Sequence, residues 1–217
     1  MLRVRPTFFT SDLDSARRIL ESLGLVATEE GEGWAILDAG SGRVELRRVD
    51  ARLPADGTAE FAVEIRDPEE FARRTLEAGG AVVVLDDVVT IGGGDGFKFV
   101  AHPTDHAAVC ADADPRITVR AVWLTPDAAA ARRTLAAIGA KPAESDDFRA
   151  KNGGILSVRP ADAADSGPLC FAYDGDLVAV AQKLTQAGAQ VTVGRSRLEV
   201  DGPGVVFTVM TPSLPML

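Results

Sequence analysis

Ser15-Ala-Arg-Arg-Ile-Leu-Glu-Ser-Leu-Gly24 returns later in the chain as Ala130-Ala-Arg-Arg-Thr-Leu-Ala-Ala-Ile-Gly139. Weaker copies stand at Phe71-Ala-Arg-Arg-Thr-Leu-Glu-Ala-Gly79 and Ala181-Gln-Lys-Leu-Thr-Gln-Ala-Gly188. An internal repeat of this kind decides the architecture before any single residue does, because one small unit cannot bury its apolar face alone and must stack on its copies. In the first copy Leu13, Ala16, Ile19, Leu20 and Leu23 recur at helical spacing, with Asp14, Arg17, Arg18 and Glu21 largely opposite. Acidic segments precede each copy: Ser11-Asp12, Asp67-Pro68-Glu69-Glu70, Pro126-Asp127 and Asp174-Gly-Asp176. Short polar side chains cap the free amides of a first turn, and Pro68 fits that turn. Each copy ends on a glycine, the residue that best adopts the left-handed stop.

Extended runs lead into these helices at Arg3 to Thr10, Ala59 to Ile65, Ile117 to Leu124 and Pro168 to Tyr173. Strand-like pieces punctuated by turn residues follow them. The order strand, helix, strand, strand, strand thus recurs four times. It predicts an α+β protein of four βαβββ modules forming two curved-sheet halves. The halves are expected at 1–111 (modules 1–50 and 58–111) and 116–217 (modules 116–160 and 167–212), divided at Ala-, Asp- and Pro-rich linkers. Pairing two modules leaves the helices outside and a concave surface inside, a natural pocket for a small molecule.

Composition narrows the function further. Hydrophobic residues make up 46% and charged residues 25% of the 217 positions, as in a soluble globular protein. The net charge is −9 and no basic run is present, which argues against a nucleic-acid partner. No apolar run approaches the roughly 20 residues of a membrane span, and Met1-Leu-Arg-Val-Arg-Pro lacks the features of a signal peptide. Cys110 and Cys170 are too few for a disulfide framework and read as reduced thiols. A cytoplasmic protein without a membrane partner is the expectation, and a homodimer is compatible with it.

The module order, with Phe8-Phe9-Thr10-Ser11-Asp12-Leu13 leading to Leu23-Gly24 and Val44-Glu45-Leu46, resembles the vicinal oxygen chelate superfamily. Glyoxalase I, bleomycin-resistance proteins and extradiol dioxygenases belong to that superfamily. Phe61-Ala-Val-Glu-Ile-Arg-Asp67 leading to Ala78-Gly79-Gly80, and the turn His102-Pro-Thr-Asp-His-Ala107, carry the same resemblance. It implies metal ligands at two places: a His on the first strand of a module, seven residues before the Asp that opens the helix, and a Glu near the end of the last strand. Carried onto this chain, the first-strand positions are Arg5, Glu60, Arg120 and, by alignment on Gly188, Leu169. The last-strand positions are Glu45, Val109, Ser157 and Thr208. Arginine has no lone pair to give and a permanent charge, so it opposes a cation directly. No metal and no cofactor are therefore expected.

Arg5, Glu45 and Glu60 would converge in the first concavity, with Thr7, Phe9, Glu64, Arg43 and Arg47 on the same face by strand alternation. Two roles are open to that cluster. It could recognise a polar or anionic ligand, or Arg5 could be a fixed internal cation neutralising carboxylates where the family holds a metal. The second concavity, around Arg120, Val122 and Leu124, reads as packed core with a rim arginine. Candidate ligand-binding residues are Arg5, Glu45, Glu60, Phe9, Arg120 and Ser157, and no catalytic residue is assigned. His102 and His106 read as surface turn residues, and Thr90-Ile-Gly-Gly-Gly-Asp-Gly96 as a mobile loop that lacks the strand-to-helix setting of a phosphate cradle. Trp34 and Trp123 are assigned to packing by default. Metal-independent binding or sequestering of a small organic molecule is the leading expectation. The alternatives are a divalent-metal lyase or dioxygenase with an altered ligand set around Glu45 and Glu60, and a scaffold protein with vestigial pockets.

Overall fold

Four aspartates organise the helices. In the computed structural model, Asp12, Asp67, Asp127 and Asp176 each accept a backbone N–H of the following turn. The structure describes all residues except 87, 106–109, 144–145 and 213–217. In chain order the first elements are β1 (Leu2–Val4), β2 (Thr7–Thr10), α1 (Leu13–Leu23), β3 (Val26–Gly31), β4 (Trp34–Asp38) and β5 (Arg43–Arg48). Next come β6 (Ala59–Glu60), β7 (Ala62–Ile65), α2 (Pro68–Glu77), β8 (Ala81–Leu85), β9 (Val88–Gly92) and β10 (Lys98–Pro103). The chain continues with β11 (Ile117–Thr125), α3 (Ala128–Ala137), β12 (Lys141–Pro142), β13 (Asp147–Arg149) and β14 (Ile155–Pro160). It closes with β15 (Asp165–Ser166), β16 (Cys170–Tyr173), α4 (Leu177–Gln186), β17 (Gln190–Val193), β18 (Arg197–Gly202) and β19 (Val205–Met210). Gly24, Gly79, Gly139 and Gly188 follow the helices with φ of 122°, 83°, 87° and 99°, the left-handed stop anticipated for them.

The strand orders give the architecture. One sheet runs β3-β4-β5-β2-β6 and another β1-β7-β10-β9-β8. They meet because the first extended run breaks at Arg5-Pro6, where proline offers no amide to a ladder. β1 pairs antiparallel with β7 and β2 with β6, so the two sheets continue one another. The C-terminal counterpart is unbroken, β12-β13-β14-β11-β16-β19-β18-β17, with β15 also on β11. The fold is thus α+β, with helices on one face of curved sheets and a concave face on the other.

Odd and even residues of each first strand divide between those faces. Leu2, Val4 and Phe8 enter the core, while Arg3, Arg5 and Thr7 turn to the concave side. The same split puts Leu169 in the core, because Arg120 lies in register with Cys170; Leu169 is therefore not a concave-face residue. Helix α1 buries the five apolar residues read from its spacing. Trp123 is fully buried and meets Phe97 at 4.9 Å, with Phe61 and Phe99 closing the cluster that joins the two parts of the chain.

The glycine-rich segment after Thr90 is a docked turn rather than a mobile loop. Its Asp95 accepts the Trp123 indole N–H at 3.1 Å and the Thr125 hydroxyl. Close backbone approach also locks the parts together at Gly154, whose φ is 89° and where an added Cβ would lie 2.3 Å from Val4 Cβ. Both cysteines are free, and no helix among the described residues is long and apolar enough to cross a membrane.

Candidate functional site

Side chains from four strands meet under the first concave face. From β1 comes Arg3, from β5 come Arg43 and Glu45, from β7 comes Glu64, and Arg5 sits at the break between β1 and β2. Arg5 binds Glu45 at 3.1 Å and Glu64 at 3.4 Å. Arg3 reaches Glu64 at 3.0 Å and Arg43 reaches it at 3.6 Å. Arg43 also pairs with Asp38 at 2.7 Å and Glu29 at 3.0 Å, and Arg47 pairs with Glu45 at 2.6 Å. Four guanidiniums thus face four carboxylates, and Arg3, Arg43 and Glu64 are essentially sealed from water. Burial pushes the Glu64 carboxyl up from its ordinary value, and Arg43, Arg3 and Arg5 pull it back down. Cys110 donates its backbone N–H to Asp38 at 2.7 Å.

Sequence reasoning put Glu60 in this cluster, and that is corrected. Glu60 is exposed and makes no ion pair among the described residues; Glu64 is the second partner of Arg5. Both glutamates lie on the same face of their strand, but Glu60 stands opposite Thr7, outside the ion pairs, and Glu64 opposite Arg3. Phe9 is half-buried on β2 and Thr7 donates to Glu45 at 3.4 Å. Val109 and His106 lie outside the described residues. The last strand of this module ends at Pro103, so the position assigned to Val109 is occupied by Val100, in register with Ala62.

His102 is likewise not a turn residue. It belongs to β10, pairs in register with Glu64 and is half-buried. Burial, then the Arg5 charge, lowers its pKa to about 4, against the pull of Glu45, so its imidazole is neutral near pH 7. The alternation Phe97, Phe99, Ala101 inward and Lys98, Val100, His102 outward was the available signal. A cleft of about 670 Å³ opens beside the cluster, touching Glu60, Ala62, Val100 and His102 but not Arg5 or Glu45.

The second concave face has a different interior. Arg120 is not a rim residue: it is 5% exposed and donates through one terminal nitrogen to Asp147 at 2.7 Å and to Ser157 at 3.0 Å. The Ser157 hydroxyl donates to the other Asp147 oxygen at 2.8 Å, which Arg159 also reaches at 3.0 Å. Asp147 escaped the sequence reading. It starts the three-residue strand β13, and only its register opposite Ser157 brings it to Arg120. Cys170 lies beside them with its thiol pushed up to about 11 by burial, a poor nucleophile. A cavity of about 430 Å³ opens over Arg120 and Asp147. Arg5 and Glu45 therefore come together in one concavity and Arg120 and Ser157 in the other, while Glu60 faces the larger cleft.

The superfamily that the sequence resembles implies a divalent metal, and the donor set here does not fit one. Such an ion takes several neutral or anionic N/O donors. Here the ligand positions carry Arg5 and Glu45 in the first cluster, Glu60 and Val100 along the neighbouring cleft, and in the other half Arg120 with Ser157, and Thr208 in register with Cys170. Glu45 and Asp147 already neutralise guanidiniums. No group of three or more His, Cys, Asp or Glu that could hold a metal exists among the described residues.

No protein-family model matches the sequence, and no curated protein matches it significantly. Solved structures match throughout. A catechol 2,3-dioxygenase superposes with a TM-score of 0.61 at 16% identity, over 100% of this chain and 91% of that one. The Mn(II)-bound glyoxalase from Novosphingobium aromaticivorans gives 0.57 at 15% identity, over 96% and 80%. A variant of the 4-hydroxymandelate synthase from Streptomyces coelicolor gives 0.56 at 12% identity, over 96% and 91%. The chain has the vicinal oxygen chelate fold.

Proposed function

We propose that this protein binds or sequesters a small organic molecule without a metal, its two halves spanning residues 1–111 and 116–217. The observation that carries the reading is the pair Arg5 and Arg120. Each stands at a first-strand ligand position and holds, in a buried ion pair, a carboxylate that a cation would need. A guanidinium fixed in this way repels a divalent ion and cannot coordinate it. The dioxygenase, glyoxalase and synthase neighbours have a similar fold; the donors in this chain do not support carrying over the metal of the Mn(II)-bound glyoxalase. A divalent-metal enzyme with a changed ligand set would need donors that Glu45 and Glu60 alone do not supply.

The test has two arms on purified protein. Elemental analysis should find far less than one Mn, Fe, Ni or Zn per chain, and added Mn²⁺ or Fe²⁺ should not raise the melting temperature. Native mass spectrometry of the gently purified protein should show an organic adduct, and a ligand that binds the native state raises stability by mass action. One tightly held ion per chain, released by Glu45→Ala, would overturn the reading.

A further inference from the structure

The two concavities share a backbone plan and differ in charge. Under the first, four guanidiniums are matched by four carboxylates. The second cavity is lined by Arg116, Arg120 and Arg149 against Asp147 and Asp174, leaving one positive charge uncompensated. That excess is local, in a chain of net charge −9. Arg149 lines the cavity and makes no ion pair among the described residues. Arg120, 5% exposed, spends one terminal nitrogen on Asp147 and Ser157, and its buried Nε–H has no acceptor. A buried donor without an acceptor carries a desolvation penalty that a bound oxyanion would remove.

Asp147 does not itself consume the site. Both its oxygens are engaged, by Arg120 on one side and by Ser157 and Arg159 on the other, so it fixes the Arg120 fork in place. Thr118 adds a polar group to the wall, while Ile155, Ala150, Ala172 and Pro115 make the rest apolar. Arginine presents a planar fork that matches a carboxylate, and charge-assisted bonds of this kind are about twice as strong as neutral ones.

We infer that the cavity over Arg120 is a binding site for a small organic carboxylate, its anionic end on Arg120 and Arg149 and its apolar body against Ile155 and Ala172. The inference rests on the small-molecule reading above and names the ligand class and the concavity. Inorganic phosphate, an anion without an apolar body, should bind more weakly than an organic carboxylate of similar charge.

The probes are benzoate and hexanoate, their neutral isosteres benzamide and hexanamide, the cations benzylamine and hexylamine, and inorganic phosphate. Titrations followed by amide chemical shifts should place both carboxylates on Thr118, Arg120 and Ala172. They should bind roughly tenfold or more tightly than the amides, by the charge-assisted bonds the amides cannot make. Arg149→Ala removes an exposed side chain and should fold as the wild type does while losing most of that preference. Arg120→Met should abolish it; if that variant fails to fold, Arg120→Lys keeps the charge, loses the fork and should lower the preference several-fold. Equal binding of acids and amides, or preference for the amines, would overturn the carboxylate assignment and leave the small-molecule reading standing. Binding of no probe would overturn the assignment as well, and an adduct in the mass spectrum of the purified protein would then have to be neutral or cationic.

Discussion

Glu64→Gln is the sharpest test of the first concavity. The carboxylate is fully buried and receives Arg3 at 3.0 Å, Arg5 at 3.4 Å and Arg43 at 3.6 Å. Glutamine keeps the shape and removes the charge, so three guanidiniums lose their shared counter-ion where no water can replace it. Removing one partner of a buried ion pair costs about 3–5 kcal/mol. Arg5→Met should cost less, about 1–3 kcal/mol by the same reasoning, because Glu45 keeps Arg47 at 2.6 Å and Glu64 keeps Arg3. Glu60→Gln is the control: its side chain is exposed, and such changes stay within about 0.5 kcal/mol. Urea unfolding followed by circular dichroism measures all three, with unchanged m-values confirming that the midpoint reports stability. If Glu64→Gln unfolds within about 1 kcal/mol of the wild type, against that 3–5 kcal/mol estimate, the carboxyl carries no charge in the fold or water reaches the cluster. The account of Arg5 as an internal cation would then have to be abandoned.

His102 should steepen acid unfolding. Its pKa falls from the ordinary 6.5 to about 4, so the fold favours the neutral ring. The stability this contributes is complete above about pH 6.5 and is lost as pH drops toward 4. At about 1.4 kcal/mol per unit, and with partial exposure screening the effect, about 2 kcal/mol is at stake. His102→Gln should therefore lose about 2 kcal/mol less than the wild type between pH 7 and pH 4, and parallel acid limbs would show that burial, with the Arg5 charge, does not hold the ring neutral. Gly154→Ala should cost at least about 2 kcal/mol, since positive φ and overpacking add where φ is 89° and Val4 Cβ stands 2.3 Å from the new atom. Gly139→Ala, with φ of 87° and nothing within 4 Å, should show only the backbone strain, about 1 kcal/mol. Equal losses would mean that the approach of Gly154 to Val4 is loose.

What the sequence made legible was local. An Asp cap, an apolar stripe and a terminal glycine lie within a dozen residues of each other, and all four helices follow from them. The alternation of inward and outward residues on the first strand is equally short-range, whereas the break at Pro6 divides a run that reads as one strand from Arg3 to Thr10. The partners of the arginines were not legible because they are set by register between distant strands. Alternation puts Glu60 and Glu64 on one face and cannot choose between them; pairing of β1 with β7 chooses Glu64. Arg120 finds Asp147 across a parallel β11–β14 pair and an antiparallel β13–β14 pair, and neither contact leaves a local mark. His102 was obscured differently, since the Pro103 that ends its strand reads as the start of a turn.

The same register argument accounts for the different interiors of the two concavities. In the first half the odd residues of the opening strand are Arg3, Arg5 and Thr7, and each charge meets an acid from β5 or β7. In the second half the positions flanking Arg120 are Thr118 and Val122, which bring no charge, and Cys170 and Ala172 stand where Ala62 and Glu64 do. Replacing the central acid by Ala172 removes the group that binds three arginines in the first half. Asp147, reaching in from the far strand, restores an acidic partner, and with the Ser157 hydroxyl it does so from one side. The guanidinium is left held on one edge beside a cavity of about 430 Å³, its Nε–H unmet as that of Arg5 also is. An arginine fixed in that way is pre-organised for an acceptor arriving from the open side, with little side-chain freedom left to lose on binding. Filling the gap with an acid supplied by the chain should therefore mimic the ligand. Ala172→Glu should raise stability if its carboxylate reaches Arg120, and should abolish carboxylate binding at the same time. A variant that gains stability and still binds benzoate would place the anion elsewhere.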